Sequence, residues 1–218
     1  MILLVLCAKN SNMIKKIKNK TKSFFIKVYR NKTHSQMIET VINKHINNFE
    51  KPPVFIEIGC GKSTLTMDLM SKIYQANTYS LDIDENRINR LKSESKNNLN
   101  HINFLVGDSL QTLKYIVDKY KKIDFVFFDS SASAMQTFRE FLLLENHFSD
   151  NAAILIDNAS IPNKQFVITP VRKGKILVPY LLSSNYWEVH SHIRAGDSMI
   201  SALYHRKGGY ADPKYERK

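Results

Sequence analysis

The segment Glu57-Ile58-Gly59-Cys60-Gly61-Lys62-Ser63-Thr64 combines an acid, two glycines and two hydroxyl residues directly after the apolar run 54–58. Glycines at such a point let the backbone approach a ligand closely. The free N–H groups at the start of a following helix can bind an anion. The spacing therefore predicts a nucleotide-type ligand held at the junction of a strand and a helix.

Three kinds of site place glycines at such a junction: a P-loop, a dinucleotide site and a SAM site. A P-loop needs its first glycine at position 56, which is Ile56. A dinucleotide site needs a third glycine at position 64, which is Thr64. Glu57, two residues before Gly59, favours S-adenosylmethionine (SAM), whose methionine carboxylate would face the helix start. The predicted cofactor-binding residues of this segment are Glu57, Gly59, Gly61 and Ser63.

Acidic residues also follow the next two predicted strands. Asp82 ends the strand predicted over residues 79–83, where a carboxylate could accept hydrogen bonds from both ribose hydroxyls. Asp84 is the rival residue, although it is also placed to cap the next helix. Asp108 and Ser109 follow the third strand, where either could accept from the adenine amino group or cap a helix. Acids at consecutive strand ends favour SAM over the other ligands.

A second polar group follows strands four and five. Asp129 ends the strand predicted over 124–128, and Asp157-Asn158 ends that predicted over 152–156. Neighbouring strands would bring these three side chains together, and their oxygens suit a hard cation such as Mg²⁺ or Ca²⁺. In the alternative, Asp129 contacts cofactor or substrate, while Asp157 and Asn158 only shape a loop.

The elements that must position these residues alternate along the chain. Short apolar runs alternate with longer segments of helical periodicity from residue 36 to about 182, and two strands, 186–192 and 198–205, follow. Such alternation predicts an α/β fold with a parallel sheet covered on both faces. A turn at Ala195-Gly196-Asp197 would join the last two strands as an antiparallel hairpin.

These motifs resemble the class I SAM-dependent methyltransferases. The resemblance covers about residues 30 to 205 and implies a Rossmann-like, doubly wound, mostly parallel seven-stranded sheet that ends in an antiparallel hairpin. The residues that carry it are Glu57, Gly59, Gly61, Asp82, Gly107-Asp108-Ser109, Asp129 and Asp157-Asn158.

Within that class the chain is similar to the cation-dependent O-methyltransferases of the catechol type and to bacterial sugar O-methyltransferases. The resemblance implies that Asp129, Asp157 and Asn158 bind Mg²⁺, which would hold a substrate hydroxyl. The catechol-type enzymes carry a lysine base three residues after the first Asp, where this chain has Ala132. The resemblance thus assigns no general base. His190 and His192 alternate on one predicted strand and are candidates from their type alone.

The formal net charge of +12 is concentrated near the ends. Nine Lys and Arg residues and no acid lie within the basic arm, residues 1–32, and a smaller basic tail spans residues 207–218. Such a field attracts polyanions or an anionic membrane face. An RNA methyltransferase or RNA-binding protein is therefore the alternative function. Strand four is not followed by the Asn/Asp-Pro-Pro-aromatic motif of amino-methylating enzymes.

Length and composition fit one SAM-binding domain, predicted over residues 33–206, between the arm and the tail. Cys7 and Cys60 are the only cysteines, which excludes a disulfide scaffold and fits a cytoplasmic protein, with peripheral membrane contact through the arm as a further option. The expected partner is a small molecule or glycan. The sequence leaves the oligomeric state open, including a homodimer.

Overall fold

The computed structural model describes residues 34–45, 52–95, 99–161, 168–194 and 197–206. The predictions for the basic arm, the basic tail and the turn residues Ala195 and Gly196 lie outside these ranges. The proposed domain limits at residues 33 and 206 stay a prediction.

Helices and strands alternate as the sequence predicts. The helices are α1 (His34–His45), α2 (Ser63–Tyr74), α3 (Glu85–Glu94), α4 (Ser109–Lys119), α5 (Ala134–Leu144) and α6 (Gly174–Leu182), with a short 3₁₀ helix at Glu145–His147. The strands are β1 (Val54–Ile58), β2 (Asn77–Asp82), β3 (Ile102–Val106), β4 (Ile123–Phe128), β5 (Phe148–Ile161), β6 (Thr169–Pro170), β7 (Trp187–Arg194) and β8 (Asp197–Tyr204).

One sheet has the strand order β3-β2-β1-β4-β5-β8-β7, with the two-residue β6 paired to β5. Strands β1 to β5 run parallel, whereas β8 and β7 are antiparallel to their neighbours. The seven-stranded, mostly parallel sheet with a terminal hairpin is thus confirmed, and β6 is a short addition that the sequence did not predict. Strand order reverses between β1 and β4, the point where open α/β sheets bind ligands.

The sheet is buried on both faces, as its continuous apolar strands require. Along β4, Val126 and Phe128 pack on the face covered by α4, α5 and α6, while Phe125 and Phe127 pack on the face covered by α1 and α2. This alternation follows from the two-residue repeat of a strand. Two core layers therefore fix the strand ends relative to one another.

Strand β5 departs from its predicted limits. It pairs with β4 as far as Ile156 and then continues to Ile161 against β8 and β6. Its pairing with β8 is irregular between Ile156 and Ser160, and Asn158 has a positive φ of 53°. Asp157 and Asn158 therefore lie within a bulged strand, just past its parallel pairing, rather than at a strand end.

Among the described helices, none is long and apolar enough to cross a membrane.

Candidate active site

A cavity of about 540 Å³ opens at the carboxyl ends of β1, β2 and β3. Its walls include Gly59, Asp82, Asp108, Ser109 and Ser130. A hollow of about 640 Å³ lies along β3, lined by Tyr79, Phe104 and Lys119 among others, and the glycine-rich turn does not reach it. The smaller cavity is lined by four of the eight predicted cofactor residues, Gly59, Asp82, Asp108 and Ser109, and it is the candidate ligand site.

Gly59 lets β1 approach the end of β4. Its φ is +100°, and an added Cβ would lie 2.5 Å from the backbone oxygen of Asp129. Its N–H donates to Leu81 O at 2.8 Å, while the N–H of Asp129 donates to Ile58 O at 2.9 Å. Only glycine tolerates that φ and that contact together. The turn therefore places three strand ends around one cavity.

Glu57 is buried completely beneath this turn. Its carboxylate accepts hydrogen bonds from Ser63 Oγ at 2.5 Å, from Thr64 Oγ1 at 2.6 Å and from the Ser80 hydroxyl. Burial raises its pKa to about 7, and the three hydroxyl groups oppose that rise. Glu57 and Ser63 thus hold the turn against α2 and β2, and direct contact of either with a cofactor stays a prediction.

Gly61 begins the approach to α2 on the open side of the turn. No atom lies within 4 Å of where its Cβ would be, and its N–H donates to Thr64 Oγ1 at 3.0 Å. The helix begins two residues later, at Ser63. Backbone at this position is accessible to a ligand group that approaches the helix N-terminus.

Asp82 lies at the end of β2, 7% exposed, with its carboxylate in the cavity wall. It accepts from Cys60 N at 3.0 Å, from Asp84 N at 2.9 Å and from Arg87 Nη1 at 3.3 Å. These donors fix the carboxylate at the place predicted for the ribose. Asp84 accepts from the backbone of Asn86 and Arg87 and caps α3, as its position after the strand indicates.

Asp108 and Ser109 also line the cavity, and both are already used by the protein. Asp108 caps α4 by accepting from the N–H groups of Leu110 and Gln111. Ser109 Oγ donates to Glu140 Oε1 at 2.6 Å and accepts from Gln136 Nε2 at 2.9 Å. The capping role weighed for Asp108 is observed, whereas contact with adenine stays a prediction for both residues.

Glu140 was not found from the sequence. It is a fully buried acid on α5 that also lines the cavity. Burial raises its pKa, and the hydrogen bonds from Ser109 and Gln136 partly offset that rise. No motif around Glu140 marked it in the sequence.

Asp129 connects this cavity to a second polar cluster. Its Oδ1 accepts from Lys173 Nζ at 2.8 Å, and the Lys173 side chain is only 5% exposed. The pKa of Asp129 is raised by burial and by the nearby Asp157 carboxylate, while Lys173 opposes both effects. Asp129 therefore belongs to the polar cluster beside the cavity rather than to the cavity wall.

Asp157 and Asn158 complete the cluster with two further residues. His34 Nε2 lies 3.1 Å from Asp157 Oδ1, and Arg172 Nη1 donates to Asn158 Oδ1 at 2.6 Å. The Asn158 amide also donates to Asp157 Oδ2. Of the three predicted metal ligands, Asp129 and Asp157 place ligand atoms within 4.8 Å of each other, and Asn158 contacts Asp157.

The donor set can be tested against a divalent cation. The ligand atoms of His34, Asp129 and Asp157 lie within 4.8 Å of one another, and carboxylate and amide oxygens suit Mg²⁺. However, Lys173 and Arg172 already contact Asp129 and Asn158. The donor types fit a hard cation, but the cluster as arranged does not, because its negative charge is matched by protein cations.

His34 and Lys173 were not assigned from the sequence. His34 stands at the start of α1, far from the glycine-rich turn in the chain, and Lys173 precedes α6 without any motif around it. His190 and His192, the candidates from residue type, lie on the edge strand β7 and contact Glu188 and Ser201. The sequence alone gave no reason to prefer His34 and Lys173 over His190 and His192.

Comparison with known proteins agrees with this geometry. A family model described as a methyltransferase domain matches residues 56–159, the part that contains β1 to β5. None of the curated proteins compared with the chain matches it significantly.

Solved methyltransferase structures share the fold. A Staphylococcus aureus protein assigned as a caffeoyl-CoA O-methyltransferase aligns with a TM-score of 0.59 and 15% identity over 89% of this chain and 98% of that one. The Bacillus cereus O-methyltransferase, in complex with SAH, aligns with a TM-score of 0.56 and 14% identity. The alignment covers 85% of this chain and 97% of that one. MycE of the mycinamycin pathway, in complex with Mg, SAH and mycinamycin VI, aligns with a TM-score of 0.54 and 16% identity. The alignment covers 81% of this chain and 50% of that one.

Residues 56–159, which include the turn at Gly59 and the acids at the ends of β2 and β3, match a methyltransferase domain, and the fold is shared with solved O-methyltransferase structures.

Proposed function

We propose that this protein transfers the methyl group of SAM to a hydroxyl oxygen of a small molecule or sugar. The observation that carries the proposal is the cluster of His34, Asp129, Asp157 and Lys173 beside the cofactor cavity. Such a cluster offers hydrogen-bond donors and acceptors to a polar acceptor group. Similar solved structures include O-methyltransferases, which supports the same class of acceptor.

The cavity residues bind and orient the donor. SAM, when bound, supplies a methyl group on a sulfonium, which passes to the hydroxyl oxygen and leaves S-adenosylhomocysteine. Asp82 accepts from the ribose hydroxyls, and the backbone at Gly61 faces the methionine carboxylate. Orientation of this kind contributes roughly 7–11 kcal/mol when two reactants are held in line.

The polar cluster positions the acceptor and takes its proton. His34 is held by Asp157 at 3.1 Å, the arrangement that orients an imidazole as a general base. Lys173 and Asp129 form an ion pair at 2.8 Å and present both a donor and an acceptor to the substrate hydroxyl. In this proposal the hydroxyl proton moves to His34 as the oxygen–carbon bond forms.

A divalent cation at Asp129, Asp157 and Asn158 stays a prediction from the sequence. One similar structure contains Mg, and ligand atoms of Asp129 and Asp157 lie within 4.8 Å of each other. Because two protein cations already contact this cluster, no step of the proposed mechanism goes through a metal.

The proposal is tested with methyl-labelled SAM. The purified chain is incubated with saccharides, macrolide glycosides, catechols and total RNA, and the labelled products are identified by mass spectrometry and NMR. A methyl ether on a small-molecule or sugar hydroxyl supports the proposal. Label found only on RNA would replace it with the RNA methyltransferase alternative, and label found only on nitrogen or carbon would refute O-methylation.

A further inference from the structure

We infer that Lys173 takes the place of the divalent cation in this active site, so that the cluster neither needs nor binds one. The inference deepens the proposed function, on which it rests only for the role of the cluster in catalysis. Its test is a binding measurement that requires neither SAM nor an acceptor.

Three oxygens of the cluster already have protein donors. Lys173 Nζ is 2.8 Å from Asp129 Oδ1, Arg172 Nη1 is 2.6 Å from Asn158 Oδ1, and the Asn158 amide donates to Asp157. A metal ion between these residues would need the same oxygen lone pairs. The donors therefore compete with a metal for its ligands.

The charges lead to the same conclusion. Asp129 and Asp157 contribute two negative charges, and Lys173 and Arg172 contribute two positive charges, so the four together are neutral. A divalent cation would add two positive charges beside a buried ammonium. If Lys173 left Asp129, its charge would be buried without that partner, which is strongly unfavourable.

The backbone also keeps Lys173 in place. Val171 N–H donates to Ala159 O at 3.0 Å, two residues before Lys173. One residue after it, a Cβ on Gly174 would lie 2.1 Å from the same Ala159 oxygen, so α6 begins in direct contact with β5. Since β5 also carries Asp157 and Asn158, the backbone at Lys173 is held against the strand that carries two of the predicted metal ligands.

Binding of Mn²⁺ tests the inference directly, because free Mn²⁺ is quantified by its electron paramagnetic resonance signal. The wild type, Lys173→Met and the matched control Lys175→Met, an exposed lysine of the same helix, are titrated with Mn²⁺ alone. We expect Lys173→Met to gain one site about tenfold or more tighter than any binding by the other two proteins. The gained site should be lost again in Lys173→Met/Asp129→Asn.

Two results would overturn the inference. One is stoichiometric Mn²⁺ binding by the wild type that Asp129→Asn abolishes, and the other is no gain of binding in a folded Lys173→Met. If that variant does not fold by circular dichroism, the wild-type titration decides alone, and absence of binding supports the inference. Calorimetry with SAM in EDTA separates this outcome from failure of the proposed function, since SAM that does not bind refutes the function and leaves the Mn²⁺ result standing.

Discussion

Replacement of Gly59 by alanine is expected to destabilise the protein and weaken SAM binding together. The added Cβ would meet the oxygen and carbon of the Asp129 backbone at 2.5 and 2.7 Å, and φ is +100°. Unfavourable φ costs about 1–2 kcal/mol for a residue with a side chain. Overpacking costs about 1–3 kcal/mol. The neighbour is backbone, which cannot rotate away, so we expect a total of about 2–5 kcal/mol.

Gly61→Ala is the matched control, because its Cβ would meet nothing within 4 Å. Urea unfolding of both variants measures the difference in the free energy of unfolding, and calorimetry measures SAM affinity. We expect Gly59→Ala to lose at least about 2 kcal/mol, which corresponds to roughly 4–8 °C in Tm. Gly61→Ala should stay within about 1 kcal/mol of the wild type. Equal stability of Gly59→Ala and wild type would refute the argument that β1 and β4 require this close approach.

Three further changes separate the roles of the acids and of His34. Asp82→Asn should weaken SAM binding about tenfold in calorimetry. Asp84→Ser should keep the SAM affinity of the wild type, because serine also caps α3. Equal SAM affinities of the two variants would contradict the ribose assignment. Glu57 has a raised pKa of about 7, so its contribution to stability is full below pH 4.5 and is lost as pH rises through 7. Between pH 4.5 and 7, urea unfolding should show that the wild type loses about 3 kcal/mol of unfolding free energy relative to Glu57→Gln. Parallel pH profiles of the two proteins would show that Glu57 does not titrate in that range. His34→Gln should lower kcat about 100-fold with SAM affinity unchanged. The control His101→Gln, which changes a surface histidine paired with Asp68, should leave kcat unchanged. Equal kcat values of the two variants would exclude His34 as the base.

The sequence predicted the sheet and the cavity because both depend on local signals. Runs of five or six residues with the composition of strands indicated β1 to β4, and a glycine or an aspartate at or directly after the end of each run marked its carboxyl end. Glycine at position 59 indicated a close approach before its neighbour was known. Parallel strands bring such residues to one edge of the sheet, which is why the sequence placed Asp82, Asp108 and Asp129 there.

The partners of these residues depend on contacts distant in the chain. Lys173 reaches Asp129 across 44 residues, and His34 reaches Asp157 from the first described helix. No pattern in the sequence indicated either contact. Strand β5 was predicted too short because Asp157 and Asn158 read as a turn, whereas pairing with β8 continues the strand through a bulge. Tertiary pairing decided both cases.

Calorimetric titration of the purified chain with SAM, and in parallel with ATP and NAD, tests the central claim that the acids and glycines at the carboxyl ends of β1, β2 and β3 form a SAM site. We predict saturable SAM binding at one site per chain, weakened by Asp82→Asn, with no binding of ATP or NAD. Binding of ATP or NAD in preference to SAM, or SAM affinity unchanged in Asp82→Asn, would contradict the account.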